Sequence, residues 1–363
     1  LDLQGGSYLL LEVDSSPLEK RHIQSKVIPL KKKLIDSNIK FENFIVKNQS
    51  IQFDIQKNYL EKFENIFRSK ENNDINIFLT NFNSFELDYK ILGNRIDIFL
   101  SKHGVINLET AAVDQSIEIV RRRIDEIGTK EPSILKRGSN RILVELPGIK
   151  DPERIKELLG RTAELSFKLV TSDAGEFGSE NFILSDSGEN ITVSKRVILG
   201  GSNLIDAQPK FDNINNQPIV TFVLDRLGSK KFGQATSKNI GKRIAIILDR
   251  EAISAPVIKD AITGGNGVIS GDFTFQDATD LALLLRSGAL PAPLSVVEER
   301  TVGPDLGEDS IKAGSISLIV GFVLVIFFMT YKYRFFGVIA NLSLVTNLLM
   351  LLGILTILEA TLT

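Results

Sequence analysis

Apolar positions along this 363-residue chain change their spacing several times, and each change predicts an element. Residues 6–13 (GSYLLLEV) form an apolar run of strand length. Ser16-Pro17-Leu18-Glu19 combines a capping box with proline at the first helical position, which predicts a helix over 17–36. Residues 37–108 are rich in Asn, Lys, Ile and Phe. Their short alternating runs, 51–55 and 75–79, predict a small α+β insertion within about 15–108, because the apolar content is too high for a disordered tail.

Helical spacing returns at 110–127, where Val113, Ile117, Val120, Ile124 and Ile127 make one apolar stripe and Gly128 supplies the C-cap. Strands are predicted at 133–137 and 141–146, around the turn Gly138-Ser139-Asn140. Asp151-Pro152 opens a helix that ends by Gly160. Further strands are expected at 163–170, 191–199, 218–224, 243–249 and 253–258, with an exposed loop over 172–190 and a helix over 228–240. Thr274-Phe275-Gln276-Asp277 is a capping box for a last soluble helix reaching Gly288, and a closing strand follows at 292–300. Strand 6–13, helix 110–127, strands 133–137 and 141–146, helix 275–287 and strand 292–300 spell βαββαβ, a ferredoxin-like base. The expected fold class is therefore an α+β region with inserted α+β segments, followed by a helical hairpin.

That hairpin is read from two uncharged runs. Residues 313–331 are 19 in number, a helix of roughly 28 Å against a hydrocarbon thickness of about 30 Å. Residues 335–358 form the second run. Both must be helical, since lipid offers no partners to backbone amides. The turn between them, Lys332-Tyr333-Arg334, holds two cations and no acid, which predicts a cytoplasmic turn with residues 1–310 on the far side. The chain opens without an export signal and stops shortly after the second run, so a fragment of a longer multi-pass protein is expected.

Composition narrows the chemistry. With 43 Lys+Arg against 45 Asp+Glu the formal charge is −2, which lacks the basic excess of a nucleic-acid binder. No cysteine is present, and the two histidines, His22 and His103, lie far apart, so thiolate, iron–sulfur and histidine-rich metal chemistry have no ligands. No phosphate-binding loop, G-x-S-x-G elbow or HExxH motif occurs. The expectation is no enzyme, no catalytic or metal-binding residues and no cofactor. Arg121-Arg122-Arg123 reads as an anion or partner contact, or as a solvated run on the polar side of its helix. Asn341 and Asn347 in the second apolar run are expected to make helix–helix contacts.

Several motifs in order resemble the SecD family, the membrane subunits of the bacterial SecD–SecF accessory complex within the RND superfamily. They are Leu1-Asp2-Leu3-Gln4-Gly5-Gly6 with Leu10-Leu11-Glu12-Val13-Asp14, then Arg121 to Arg123 with Gly128 and Glu131-Pro132. Next come Arg141-Ile142-Leu143-Val144-Glu145-Leu146-Pro147-Gly148 and Asn239-Ile240-Gly241-Lys242-Arg243. Leu285-Arg286-Ser287-Gly288-Ala289-Leu290-Pro291-Ala292-Pro293 and Glu298-Glu299-Arg300-Thr301-Val302-Gly303-Pro304 complete the set. The resemblance implies a periplasmic base over 1–148 returning at 275–304, a mobile head over 149–274, and two of six membrane helices at 313–331 and 335–358. It further implies an inner-membrane subunit that works with SecF and the SecYEG channel. Such a subunit binds emerging unfolded preprotein and uses proton-motive force to move the head. The family's intramembrane Asp falls beyond Thr363. Gly5, Gly6, Gly303 and Pro304 flank the base and are candidate hinge residues. An RND-type exporter of small molecules or lipids, and a passively anchored periplasmic sensor, are the competing readings.

Overall fold

The computed structural model describes residues 6–47, 49–129, 132–147, 149, 151–171, 178–185, 187–212, 215–302 and 304–357. The chain begins with strand β1 (Gly6–Val13) and helix α1 (Ser16–Asp36). Ser15, not Ser16, is the N-cap residue, and its side chain does not cap the helix, whose first amide, that of Ser16, donates to the Asp14 carboxylate at 3.1 Å. The Ser15 hydroxyl instead donates to the carboxylates of Glu19 (3.1 Å) and Glu109 (3.2 Å), so the predicted capping box does not form.

The insertion follows as β2 (Phe41–Lys47), β3 (Ser50–Ile55), α2 (Leu60–Phe67), the two-residue strands β4 (Phe78–Leu79) and β5 (Ser84–Phe85), β6 (Leu87–Leu92) and β7 (Arg95–Leu100). Of the expected strand at 75–79 only the last two residues are extended; Asn76 uses its side chain to bond the backbone of Phe67 and Leu87. The sheet order is β2-β3-β7-β6. Ile51, Phe53, Ile96 and Ile98 alternate inward on neighbouring strands and meet Ile23, Leu30 and Leu34 of α1 and Phe63 and Phe67 of α2 in a core of their own.

Helix α3 (Lys102–Ile127) starts eight residues before the expected position. Ser101 caps it by accepting from the Gly104 amide at 2.9 Å. Gly104 is also where the backbone carbonyl of Glu86 closes in: a Cβ there would stand 2.1 Å from that oxygen. The first turns of α3 therefore face the insertion, and only its later turns carry the stripe visible in the sequence. Gly128, at φ 80°, ends it as predicted.

Next are β8 (Ser133–Arg137), β9 (Arg141–Pro147) and α4 (Pro152–Gly160), capped by the Asp151 carboxylate. The chain then builds β10 (Leu165–Val170), β11 (Ser179–Ile183), β12 (Asn190–Gly200), β13 (Leu204–Phe211), β14 (Pro218–Leu224), α5 (Arg226–Lys238), β15 (Ile244–Leu248), β16 (Glu251–Ser254), β17 (Asn266–Ile269) and α6 (Phe275–Ser287). β11 lies inside the segment expected to be loop, and β13 was not foreseen. Both are edge strands whose partners impose the pairing, and an edge is where Pro209 is tolerated. Sheets β11-β12-β10-β15-β16 and β13-β14-β17 enclose Phe167, Phe222 and Phe232 with the leucines of α6. Every residue of β15 is buried, because Ile244, Ile246 and Leu248 face this core while Ala245 and Ile247 face a smaller one.

Strand β18 (Leu294–Val302) returns beside β1, giving the all-antiparallel order β18-β1-β9-β8. Its core joins Leu9, Leu11, Val144 and Leu146 to Val113, Val120 and Ile124 of α3 and to Ile155 and Leu159 of α4. The expectation that helix 275–287 covers this sheet is therefore corrected. Ala278, Leu281, Leu284 and Leu285 of α6 face the sheets of the intervening unit, and α4 takes the second-helix place.

Helices α7 (Pro304–Tyr333) and α8 (Phe335–Ile357) end the described chain. They turn at Arg334 and approach closely at Gly337, where a Cβ would lie 2.1 Å from the Met329 carbonyl oxygen. Asn341 donates to the Ile326 carbonyl and the Thr330 hydroxyl, both at 3.0 Å, as a helix–helix contact; Asn347 is exposed. Among the described residues one helix, Lys312–Tyr333, is long and apolar enough to cross a membrane, and Phe335–Leu351 is a shorter apolar stretch.

An ion cluster ties the insertion together. Buried Glu86 lies 3.0 Å from His22 Nε2 and 3.2 Å from Lys26 Nζ, one turn apart on α1. Burial alone raises a carboxyl's pKa, but the hydrogen bond and charge of His22 and the charge of Lys26 outweigh it and hold Glu86 below its usual value of 4.5. A depressed carboxylate stabilises the fold above its unfolded pKa and loses that contribution as pH falls through its folded value. Thermal melts are expected to show the insertion weakening below about pH 4. Glu86→Gln, which leaves Lys26 buried without its anion, is expected to remove about 3–5 kcal/mol at neutral pH; a melting temperature unchanged at pH 7 contradicts this.

Candidate functional site: the junction at Arg123

The arginine triplet divides. Arg121 and Arg122 are exposed, as a solvated run requires, whereas Arg123 is 0% exposed. Its Nη1 donates to the carbonyls of Leu158 (2.6 Å), Leu159 (3.3 Å) and Arg161 (2.6 Å) at the C-terminus of α4. Its Nη2 donates to the Gly288 carbonyl (3.2 Å) and its Nε to the Ser287 hydroxyl (3.4 Å), at the C-terminus of α6. The last carbonyls of a helix have no partner within it and carry its negative dipole end, so two such ends converge on one cation. Desolvation lowers the Arg123 pKa to about 10, partly offset by the charge of Asp249, and the guanidinium stays protonated at neutral pH. Spacing does not separate it from Arg121: Arg123 is three residues after Val120 and four before Ile127, and Arg121 is four after Ile117 and three before Ile124. Arg123 is the buried one because α3 turns its Ala112, Ser116 and Ile119 side inward, which tertiary packing decides.

Around it the two chain crossings between base and inserted unit run side by side. The Leu290 amide donates to the Thr162 carbonyl at 2.8 Å. Asp249, at the tip of the β15–β16 hairpin, accepts from the Ala163 (2.9 Å) and Glu164 (2.8 Å) amides and from the Thr162 hydroxyl. Further out, Arg154 on α4 forks onto Asp280 on α6 (2.6 and 3.3 Å), and Arg286 on α6 meets Glu126 on α3 at 2.5 Å. A cavity of about 400 Å³ opens between α4, α6 and the hairpin, lined by Arg154, Arg161, Asp249, Asp280 and Phe273 among others. Arg154 pairs with Asp280 and Arg161 with Glu157 across its wall, while Asp249 is held by the Ala163 and Glu164 amides.

Of the predicted hinge residues, Gly6 and Pro304 lie at the opposite end of the base sheet. Gly6, at φ 146°, pairs with both Val302 and Pro147. Pro304 is the first residue of α7. Gly5 and Gly303 lie outside the described residues. Among the described residues no cluster of His, Asp or Glu is suited to a metal ion.

With this geometry in hand, comparison with known proteins is decisive. A family profile described as the SecDF P1 head subdomain matches residues 177–292, and one described as the N-terminal P1 domain of protein translocase subunit SecDF matches 113–172. The protein translocase subunit SecD of Rickettsia bellii is 40% identical over 373 residues, spanning all of this chain and 70% of that protein. The chain belongs to the SecD family. The SecD of Acetobacter pasteurianus is 42% identical over 374 residues, again across the whole chain and 70% of the relative. A SecDF crystal structure in a super-membrane-facing form shares 33% identity, with a TM-score of 0.48, over 65% of this chain and 34% of that one. These relatives are named for protein translocation, and a translocase subunit rather than an enzyme is what the family comprises.

Arg123→Ala leaves buried acceptors on both crossings without a donor. At roughly 1–3 kcal/mol for each unsatisfied group, a loss of about 4 kcal/mol is expected. Chemical denaturation followed by circular dichroism measures it, and a loss below about 1 kcal/mol contradicts the clamp.

Proposed function

We propose that this SecD-family chain is the part of a translocase accessory subunit that engages emerging unfolded preprotein on the periplasmic side, and that it acts with SecF and the SecYEG channel. On this reading α7 and α8 form a transmembrane hairpin with Lys332 to Arg334 in the cytoplasm, and residues 1–310 are periplasmic in a multi-pass inner-membrane protein. The sheet β18-β1-β9-β8 with α3 and α4 is a ferredoxin-like base, with the fourth strand beside the first. The unit between α4 and β18 is the head, close to the proposed 149–274 but including α6.

One observation carries the reading. The solvent face of the β13-β14-β17 sheet, opposite buried Val220, Phe222 and Ile269, presents Ile219, Thr221, Val223 and Val268, with Val223 and Val268 40% and 49% exposed. An apolar strip on an open three-stranded sheet suits sequence-tolerant contact with an extended chain, because main-chain pairing at a sheet edge and shallow side-chain contacts need no fixed sequence.

Proton-motive force would enter through membrane helices beyond this chain and reach the head through α7 and the base. Gly6 and Pro304 lie where the base meets α7, and with Gly5 and Gly303, their neighbours in sequence, they are the candidate hinge on this reading. A proton crossing about 100 mV releases roughly 2.3 kcal/mol, enough to bias a two-position head.

Photo-crosslinkers at Val223 and Val268 in the full-length protein are expected to capture a stalled, half-exported chain, while the same probe at exposed Lys90 on the insertion does not. Export that needs the protein yet yields no crosslink at either head position overturns the substrate surface. A reporter fused at Lys332 to Arg334 is expected to score as cytoplasmic, and a periplasmic score overturns the topology.

A further inference from the structure

We infer that Arg123 is the pivot on which the head turns against the base, with residues 161–164 and 287–290 as the paired hinge. The inference rests on the proposed moving head and deepens it. Neither Gly6 nor Pro304 is part of this pivot; they lie at the other end of the base sheet.

The division into bodies falls at these crossings. Ile155 and Leu159 of α4 are buried in the base core, with Leu158 between them turned to the head core, whereas Leu281, Leu284 and Leu285 of α6 are buried in the head core. Covalently the head leaves the base after α4 and rejoins it after α6, and both exits hold backbone in the left-handed region: Ala163 at φ 58° and Gly288 at φ 91°. Such conformations are where a chain absorbs rotation between packed bodies. Away from the crossings the bodies meet through Leu158 of α4 and half-buried Ile127 of α3, which pack on the head core, through Arg154–Asp280 and Arg286–Glu126, pairs with side chains 22–37% exposed, and through the cavity between α4 and α6. Ion pairs this exposed contribute little and part easily.

Arg123 is suited to a pivot by its chemistry. It reaches from α3 of the base to carbonyls on both crossings, so it stays with one body while touching both exits of the other. A planar guanidinium has five N–H donors in a fixed fork and retains partners as acceptors shift around its rim. Lysine, with three donors on one atom, cannot span both crossings in the same way. A purely static pin differs in what it predicts: loss of stability with unchanged head positions.

The test uses the full-length protein with its partners in membrane vesicles. None of these 363 residues is a cysteine, so, with any cysteines in the rest of the protein and its partners replaced, spin labels on introduced cysteines at Leu135 in the base and Ile205 in the head, 51% and 63% exposed, report one inter-body distance. The unsubstituted protein is expected to give two distances whose ratio shifts when the proton gradient is imposed. Arg123→Lys, which keeps the buried charge but cannot reach the carbonyls of both crossings, is expected to broaden both distances and reduce gradient-stimulated export, with a smaller fall in melting temperature than Arg123→Ala. Distances as sharp as in the unsubstituted protein, with full export, overturn the pivot. A single distance insensitive to the gradient before any substitution overturns the moving head itself, and the pivot with it. Gly288→Ala adds a methyl that meets nothing within 4 Å, so it folds, yet it strains the second crossing. It is expected to collapse the two distances toward one, and an unaltered ratio also overturns the hinge.

Discussion

One buried cation decides how the two halves of this protein meet. Helices α4 and α6 end within reach of each other, each with carbonyls that its own helix cannot satisfy. No water is available to groups buried between two apolar cores, so a multivalent donor is the physical solution, and α3 supplies it. The cost is visible in the depressed pKa of Arg123, held at about 10 by desolvation. The return is that three helices from two bodies are fixed at one point, with Leu158 and Ile127 packing on the head core beside it. The surfaces beyond that point can then be polar, ion-paired and partly open, as the cleft lined by Arg154 and Asp280 is.

What was legible in the sequence was local. Gly128 as a C-cap, Asp151-Pro152 at the start of α4, and the Thr274–Asp277 capping box depend on neighbours within four residues, and each forms as read. The alternation in β1, β9 and β14 likewise reports burial of one face. Illegible features depend on residues far apart in the chain. β13 contains Asp206 and Pro209 and becomes a strand because β14 pairs along it. The early start of α3 follows from Gly104 fitting against Glu86, eighteen residues upstream. Arg121 and Arg123 stand symmetrically about the apolar stripe, so the sequence does not show which is buried; the packing of α4 and α6 on the Ala112, Ser116 and Ile119 side of α3 decides it.

The attachment of the two inserted units differs in kind. α3 is 26 residues long, roughly 39 Å, and its first turns pack on the insertion while its later turns pack on the base. A continuous helix with both ends buried resists bending, so insertion and base behave as one lever. The insertion adds α1 to the same end, with Glu86, His22 and Lys26 cross-bracing it. The head shares no long helix in this way: its links to the base are the two crossings, the guanidinium of Arg123 and the last turn of α4, where Leu158 enters the head core.

That contrast fixes where displacement can travel if α7 moves in the membrane as proposed. β18 runs directly toward α7 and is hydrogen-bonded to β1 from Gly6–Val302 to Val13–Leu294, so a push on its end shifts the whole sheet rather than one strand. The sheet carries α3 and α4 with it through their shared core. Arg123 stands on α3 at the far side of that core, where the rigid path ends and the two crossings begin. A displacement too small to break the base can therefore become a rotation of the head, because the only backbone between them is already in conformations that turn.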